Sequence, residues 1–384
     1  MDKFAEIRTL FPATETGVYM NNAAVAPVPP FISREALLVW EDYAAHGGAN
    51  GNQWLKRVEE ARAALAKLAG GTAEEIFFTK NTSEGLVIAA NSLPWRKGDN
   101  VVSLRGEFPA VTVPLHLLAS RGVELRLVDP QKDNSYSIED IEAVLDRSTR
   151  MLMVSFVEFH TGFRNDLKAL GALCHERDIF FAVDGVQGVG ALRTAVRDWQ
   201  VDLFSAGGHK WLLAGEGIGF CYIRKESLEE LDPLACSWLS VEEPLEFLRH
   251  DIGLAPFDRP LRQDAQRFEG GTLNIAGIMA LGKSVETLLE LGPENIERHI
   301  FKLGALAAEG LERKGYQVIS PRKEGQRSGI TCFRSRTRDN RQVLVDLRRQ
   351  KFGLGFPCGS IRLSPHYYNN EQDIEALLAA LPED

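Results

Sequence analysis

The chain has 384 residues, 44% hydrophobic and 25% charged, an ordinary globular composition long enough for one large α/β unit and a smaller companion. A net charge of -9 leaves no basic excess to neutralise phosphates, which excludes a general nucleic-acid binder; the basic stretch RSRTRDNR at 334–341 reads as a solvated face. Five widely spaced cysteines without a CxxC fit reduced thiols in a cytoplasm rather than a disulfide frame or a metal site, and no apolar run nears the roughly 18 residues of a membrane span.

In chain order, EIFFT (75–79) reads as a strand followed by the helix EGLVIAANSL (84–93). NVVSL (100–104) is a strand, and FPAVTVPLHLLASRG a helix ending at Gly122. VELRLVD (123–129) is a strand, and SIEDIEAVL (137–145) a helix capped by Ser137. MLMVSFV (151–157) is a buried strand, followed by the helix LKALGALCHERD. IFFAVDG (179–185) is another buried strand and DLFSAGG (202–208) a short one. This alternation predicts a mostly parallel sheet with helices on both faces, whose ligands sit beyond the carboxyl ends of the strands. Past about residue 275 a long helix, the short strands YQVIS, GITCF and SIRLS, and a final asparagine-capped helix read as a smaller α+β unit.

Three polar features fall where such a sheet places its ligand. Asp184 ends the apolar strand FFAV and needs either a turn role or a positive partner. Lys210 lies 26 residues on (210 minus 184), after the next strand, between apolar flanks; it either snorkels to water or uses its nitrogen chemically. Thr82 and Ser83 open a helix, where they serve as a plain cap or as a cradle for an anion such as phosphate. GVQGVG is not the dinucleotide fingerprint GxGxxG, and GGHKW is not a phosphate loop. An aspartate, a lysine and a helix-end phosphate cradle are together the parts needed to hold pyridoxal phosphate.

With these motifs the chain resembles the class V aminotransferase group of fold-type I pyridoxal phosphate enzymes, which includes cysteine desulfurases, selenocysteine lyase-like proteins, isopenicillin N epimerase and kynureninase. The stretches that carry the resemblance are VYMNNAAVAPVP, NTSEGL, GEFPA, TGFRNDL, VDGVQGVG, GGHKWLLAGEGIGF, FEGGTLN and IRLSPHYYNNEQDI, in the family's order from residue 18 to 374. The resemblance implies a large pyridoxal-phosphate-binding α/β domain over 15–265 with a mostly parallel seven-stranded sheet. The smaller α+β domain would span 266–384 together with residues 1–14. It implies that Lys210 forms the Schiff base and acts as the catalytic base, and that Asp184 pairs with the pyridine nitrogen. Gln187 would bond the ring's phenolic oxygen, while Thr82, Ser83 and His209 bind the phosphate. Phe108 would stack on the cofactor, and Thr272 would reach the phosphate of the partner subunit in a homodimer with shared active sites. Arg362 would grip the substrate carboxylate, and Asn22 either contacts substrate or shapes its turn.

The chain departs from the family pattern at three places. Gly207 stands where many members carry a phosphate-binding serine, with Ser205 two residues further away. Phe159 stands where desulfurases have an asparagine. Cys358 lies only four residues before Arg362, on a loop too short for a swinging persulfide carrier. The motifs leave the reaction open. By analogy with the nearest members, the resemblance implies a C–S or C–Se lyase acting by β-elimination on an α-amino acid, without a persulfide-carrying loop cysteine, with class V aminotransferase or epimerase as alternatives. A non-catalytic sensor or partner subunit of the same fold is the other class considered.

Overall fold

The computed structural model describes residues 3–233, 236–246 and 259–384. Two short helices, α1 (Lys3–Arg8) and α2 (Ala13–Thr16), lead into β1 (Val18–Tyr19) and the long pair α3 (Pro30–His46) and α4 (Gly51–Ala69). Alternation then begins with β2 (Ile76–Thr79), α5 (Thr82–Ser92), β3 (Asn100–Leu104), α6 (Pro109–Leu117), β4 (Glu124–Val128) and α7 (Ile138–Glu142). It continues through β5 (Thr149–Ser155), α8 (Leu167–Glu176), β6 (Phe180–Asp184), β7 (Leu203–Gly207) and β8 (Gly219–Ile223).

These strands form one seven-stranded sheet in the order β2-β8-β7-β6-β5-β3-β4. β8 runs antiparallel to both β2 and β7, and the other pairs are parallel, as the alternating pattern predicts. The central strands are continuous apolar runs because both faces are covered. The edge strand β4 instead carries Glu124 and Arg126, charges that discourage pairing with another chain. Successive residues of β6 serve opposite cores. Phe181 and Val183 pack with α4 and α8 residues such as Leu65 and Leu170, while Phe180 and Ala182 pack with Leu86 of α5 and Leu115 of α6. Among the described residues no helix is long and apolar enough to cross a membrane.

The C-terminal part comprises α9 (Ile275–Leu291), α10 (Pro293–Arg313), β9 (Gln317–Val318), β10 (Thr331–Arg334), α11 (Asn340–Arg349), β11 (Phe352–Gly353), β12 (Ile361–Leu363) and α12 (Glu371–Ala380). β12, β10 and β9 make a three-stranded antiparallel sheet, and β1 pairs in parallel with β11. A separate core gathers Met20, Leu303, Phe333, Leu344, Ile361 and Leu377, so the start of the chain belongs physically with its end. The ion pair between Arg8 and Asp373, at 2.8 Å, fastens the same junction. α9, although beyond residue 266, buries Ile278, Leu281, Val285 and Leu288 in the larger core with α3 and α4.

Candidate active site

The ends of β5, β6 and β7 stand in register, Ser155 beside Asp184 and Asp184 beside Ser205, so the three side chains project from one face of the sheet. Asp184 is buried, and its Oδ1 accepts the Val186 N–H at 3.0 Å. The next residue must be glycine, because a Cβ at Gly185 would lie 1.9 Å from Cζ of Phe204. Burial pushes the Asp184 carboxyl above its usual range, opposed by the Val186 hydrogen bond and by the charge of Lys210.

Lys210 follows a fixed frame. Its neighbour Trp211 is fully buried, donates its indole N–H to Oε1 of Gln187 at 2.9 Å, and accepts Nε2 of His366 at its carbonyl, also at 2.9 Å. With the main chain held on that side, the Lys210 side chain lines a cavity of about 550 Å³ and sets its Nζ 5.7 Å from the centre of the Phe108 ring. Burial lowers the amine to about 8; the charge of Arg362 adds to the fall and Asp184 opposes it. His209, lining the same cavity, is pushed toward its neutral form by burial and by Lys210.

Thr82, Ser83, Phe108, Asp184, Gln187, His209, Lys210 and Arg362 all line this one cavity. The cap of α5 is Asn81, whose side chain accepts the Glu84 N–H at 3.0 Å, which leaves Thr82 and Ser83 in the first turn facing the cavity. Thr82 Oγ1 accepts the N–H of Gly207 at 2.9 Å. Ser205 is fully buried with its hydroxyl given to the Thr82 carbonyl at 2.9 Å, so it does not stand in for the serine missing at 207. A Cβ at Gly207 would come within 3.0 Å of Nδ1 of His209, so the glycine makes room for this histidine. Gln187 gives one amide proton to the Ala23 carbonyl at 2.9 Å and keeps the other. Phe108 packs edge-to-face on Phe159 at 5.3 Å, and the Phe159 carbonyl accepts Nη1 of Arg362 at 2.8 Å. Nε of buried Arg362 has no partner among the described residues.

Two of the expected residues lie elsewhere. Asn22 is fully buried outside the cavity, where it donates to the Ser364 carbonyl at 2.8 Å and accepts the Tyr368 hydroxyl at 3.0 Å, so its amide serves the turn. Its neighbour Asn21 lines the cavity instead, with a buried Oδ1 that has no partner among the described residues. Thr272 lines a separate hollow with Lys80, Glu84 and Gly217.

Sequence reasoning missed Asn21, Arg348, Glu107 and Glu158. Glu107 accepts both the N–H and the hydroxyl of Ser155, and buried Glu158 takes Nδ2 of Asn165 at 3.2 Å while its Oε2 has no partner among the described residues. Burial holds Glu107 up at about 7 against the Ser155 bonds, with the Asp184 charge adding to the rise; Glu158 is held well above the usual carboxyl range by burial and by Glu107. The interior thus pushes both carboxyls toward their protonated forms. The available signal was a glutamate just beyond each of two apolar strands, in NVVSLRGE and MLMVSFVE.

The donor set fits pyridoxal phosphate. The first turn of α5 with His209 suits a phosphate, the buried carboxylate of Asp184 suits a protonated ring nitrogen, and Lys210 offers an amine of lowered basicity to an aldehyde.

Known proteins agree with this reading. The aminotransferase class-V family model matches residues 18–377. A cysteine desulfurase of Pectobacterium atrosepticum is 31% identical over 390 residues, covering 94% of this chain and 92% of that protein. A probable cysteine desulfurase of Methanothermobacter thermautotrophicus is 28% identical, covering 98% and 97%. Among solved structures, the apo cysteine desulfurase of Thermococcus onnurineus superposes with a TM-score of 0.87 at 24% identity, covering 97% of this chain and 96% of that one. A C-DES variant with glycine covalently linked to its pyridoxal phosphate gives 0.88 at 21%, covering 97% and 98%. At such identities the structures speak for the fold, while the match over nearly the whole chain makes this a pyridoxal-phosphate-dependent enzyme of the class-V aminotransferase family.

Proposed function

We propose that the enzyme cleaves the Cβ–S or Cβ–Se bond of an α-amino acid by β-elimination. The reading rests on one observation above all: a lysine of lowered basicity and a buried aspartate line a single cavity at the carboxyl ends of adjacent strands. The bound cofactor supplies an electrophilic aldehyde carbon and an electron-accepting ring. Lys210 would hold the aldehyde carbon of the cofactor, and its amine would take the proton from Cα of the substrate. An amine titrating at about 8 has roughly a tenth to a fifth of its population neutral near physiological pH, far more than an ordinary lysine, and so is available as that base.

Asp184 supplies a fixed negative charge to the ring nitrogen, and Thr82, Ser83 and His209 hold the phosphate. Gln187 gives its remaining amide proton to the ring oxygen, and Phe108 covers the ring face. Arg362 binds the substrate carboxylate; Phe159 positions its guanidinium by one hydrogen bond and leaves Nε for the ligand. Thr272, outside this cavity, serves the site of a second subunit. Exposed apolar side chains such as Leu37, Trp40, Val113 and Leu117 support a homodimer. Cys358 is tied through its carbonyl to Arg334 at 2.8 Å and is absent from the cavity wall formed by Phe356 and Pro357, which argues against a role in carrying sulfur.

The test is to assay purified holoenzyme with sulfur- and selenium-containing amino acids and to measure pyruvate, alanine, sulfide or thiol, and keto-acid release. Pyruvate with free thiol supports elimination. Keto-acid formation dependent on an amino acceptor supports the aminotransferase reading, to which an uncharacterized aminotransferase of Bacillus subtilis, 27% identical, also lends weight. A bound cofactor with no turnover of any amino acid would leave the non-catalytic sensor. Lys210→Ala should lower turnover at least about a thousandfold, in the range typical of general acid–base and nucleophile loss, while leaving the protein folded.

A further inference from the structure

Resting on the elimination reading above, we propose that the substrate carries a second carboxylate on its side chain and that Arg348 receives it. Arg348 lies near the end of α11, and its side chain lines the same cavity as Lys210 and Arg362. Its Nη2 donates to the Leu354 carbonyl at 3.0 Å. The next residue, Gly355, exchanges both backbone hydrogen bonds with Arg362, at 2.9 and 3.0 Å. A Cβ at Gly355 would lie 3.1 Å from Nε of Arg362. One short stretch of chain thus holds both guanidinium groups against one cavity.

The charges there are unbalanced. Asp184 is the only acidic side chain lining the cavity among the described residues, against Lys210, Arg348 and Arg362. The cofactor phosphate is met at the α5 turn, and the α-carboxylate is met by Arg362. Arg348 is left over. Its neighbour Arg349 pairs with Asp346 at 3.1 Å, whereas Arg348 has no carboxylate partner among the described residues. Nη2 gives one of its two protons to Leu354, and its other proton remains parallel to that of Nε or of Nη1, so one two-donor fork of the kind that binds a planar carboxylate is left.

For elimination, the matching substrate class is a cysteine thioether whose sulfur substituent ends in a carboxylate. Lys210 removes the Cα proton, the Cβ–S bond breaks with its electron pair staying on sulfur, and protonation of that sulfur releases a mercapto acid. The remaining three-carbon fragment takes up water and leaves as pyruvate and ammonia.

The holoenzyme is titrated with succinate and with butyrate, following the visible absorbance and, independently, the heat of binding. Succinate should bind at least about tenfold more tightly than butyrate, and Arg348→Gln should bring that ratio near one; Arg362→Gln should weaken both ligands. Equal affinity for the two acids, or a succinate preference that survives Arg348→Gln, overturns the proposal. S-carboxymethylcysteine and S-propylcysteine are then compared as substrates, with the ratio of their kcat/KM values falling at least about tenfold in Arg348→Gln. Thiol release from both thioethers in a ratio indifferent to Arg348 defeats the side-chain carboxylate and leaves the lyase standing. An Arg348-dependent succinate preference with no thiol release from either thioether keeps the carboxylate site and defeats the lyase.

Discussion

The backbone N–H of Gly207, at the end of β7, donates to Oγ1 of Thr82 at 2.9 Å, joining the strand that leads to Lys210 to the first turn of the helix that faces the phosphate position. The same hydroxyl retains its proton to give to a ligand, so one side chain both closes the scaffold and offers a donor.

Replacing Thr82 by Val should therefore cost the apo-protein about 1–3 kcal/mol, the range for stranding a buried backbone donor, whereas Thr82→Ser keeps the bond. Urea unfolding without cofactor isolates this loss from any effect on phosphate binding. A Val variant as stable as the wild type would show that the Gly207 contact contributes nothing.

Asn22 and Asn21 should separate structure from binding. Asn22→Ala removes the partner of the Tyr368 hydroxyl and one donor to the Ser364 carbonyl, and should destabilise by about 1–3 kcal/mol with KM little changed. Asn21→Ala should do the reverse, raising KM severalfold with stability nearly intact, because its Oδ1 has no protein partner to lose. Parallel denaturation and steady-state measurements on the two variants decide it.

The Glu107–Glu158 pair makes stability depend on pH. In the unfolded chain both carboxyls ionise near the ordinary glutamate value, but the fold holds Glu107 up to about 7 and Glu158 well above the usual carboxyl range, chiefly through burial. From roughly pH 4.5 upward the unfolded state then binds fewer protons than the native state, so stability falls as pH rises, with the Glu107 contribution complete above about 7. Each fully shifted group contributes a slope of up to about 1.4 kcal/mol per pH unit. Glu158→Gln removes one of the two raised carboxyls and should flatten the curve; urea midpoints of the apo-protein from pH 5 to 8 measure it, and an unaltered slope would show that the fold does not hold Glu158 protonated.

Glu269 leads into the loop that bears Thr272, and it binds Arg62 at 2.7 Å and the Phe78 N–H at 2.9 Å, both in the interior. Glu269→Ala should destabilise by up to about 3–5 kcal/mol, because the buried guanidinium of Arg62 loses its interior carboxylate and keeps only the exposed Glu59. Changing Arg62 and Glu269 together to Met should recover much of that loss. If the double variant is as unstable as the single one, the unpaired charge is not the cause.

Much of the site could be read from the chain because parallel α/β sheets present their ligands at strand ends. Asp184 and Lys210 each follow an apolar run that ends abruptly in a polar residue, and α5 begins with small hydroxyl side chains. Other features left no such mark. Which of two adjacent asparagines faces inward is set by a bridge between Asn21 and Ser364, at the opposite end of the chain. β8, inserted antiparallel between β2 and β7, reads in sequence only as an apolar run after Lys210. Arg348 resembles any basic residue near the end of a helix, where a positive charge is favourable in its own right.

Apolar periodicity and punctuation by themselves determined the alternating strands and helices, and with them the row of strand ends at which chemistry had to sit. Only the tertiary structure decided which side chains meet there: Asn21 rather than Asn22, Arg348 beside Arg362, and Glu107 against Glu158. The reason is physical. A residue's local pattern reports whether it favours water, whereas its charge state and its partner are set by segments far along the chain that folding brings within a few ångströms.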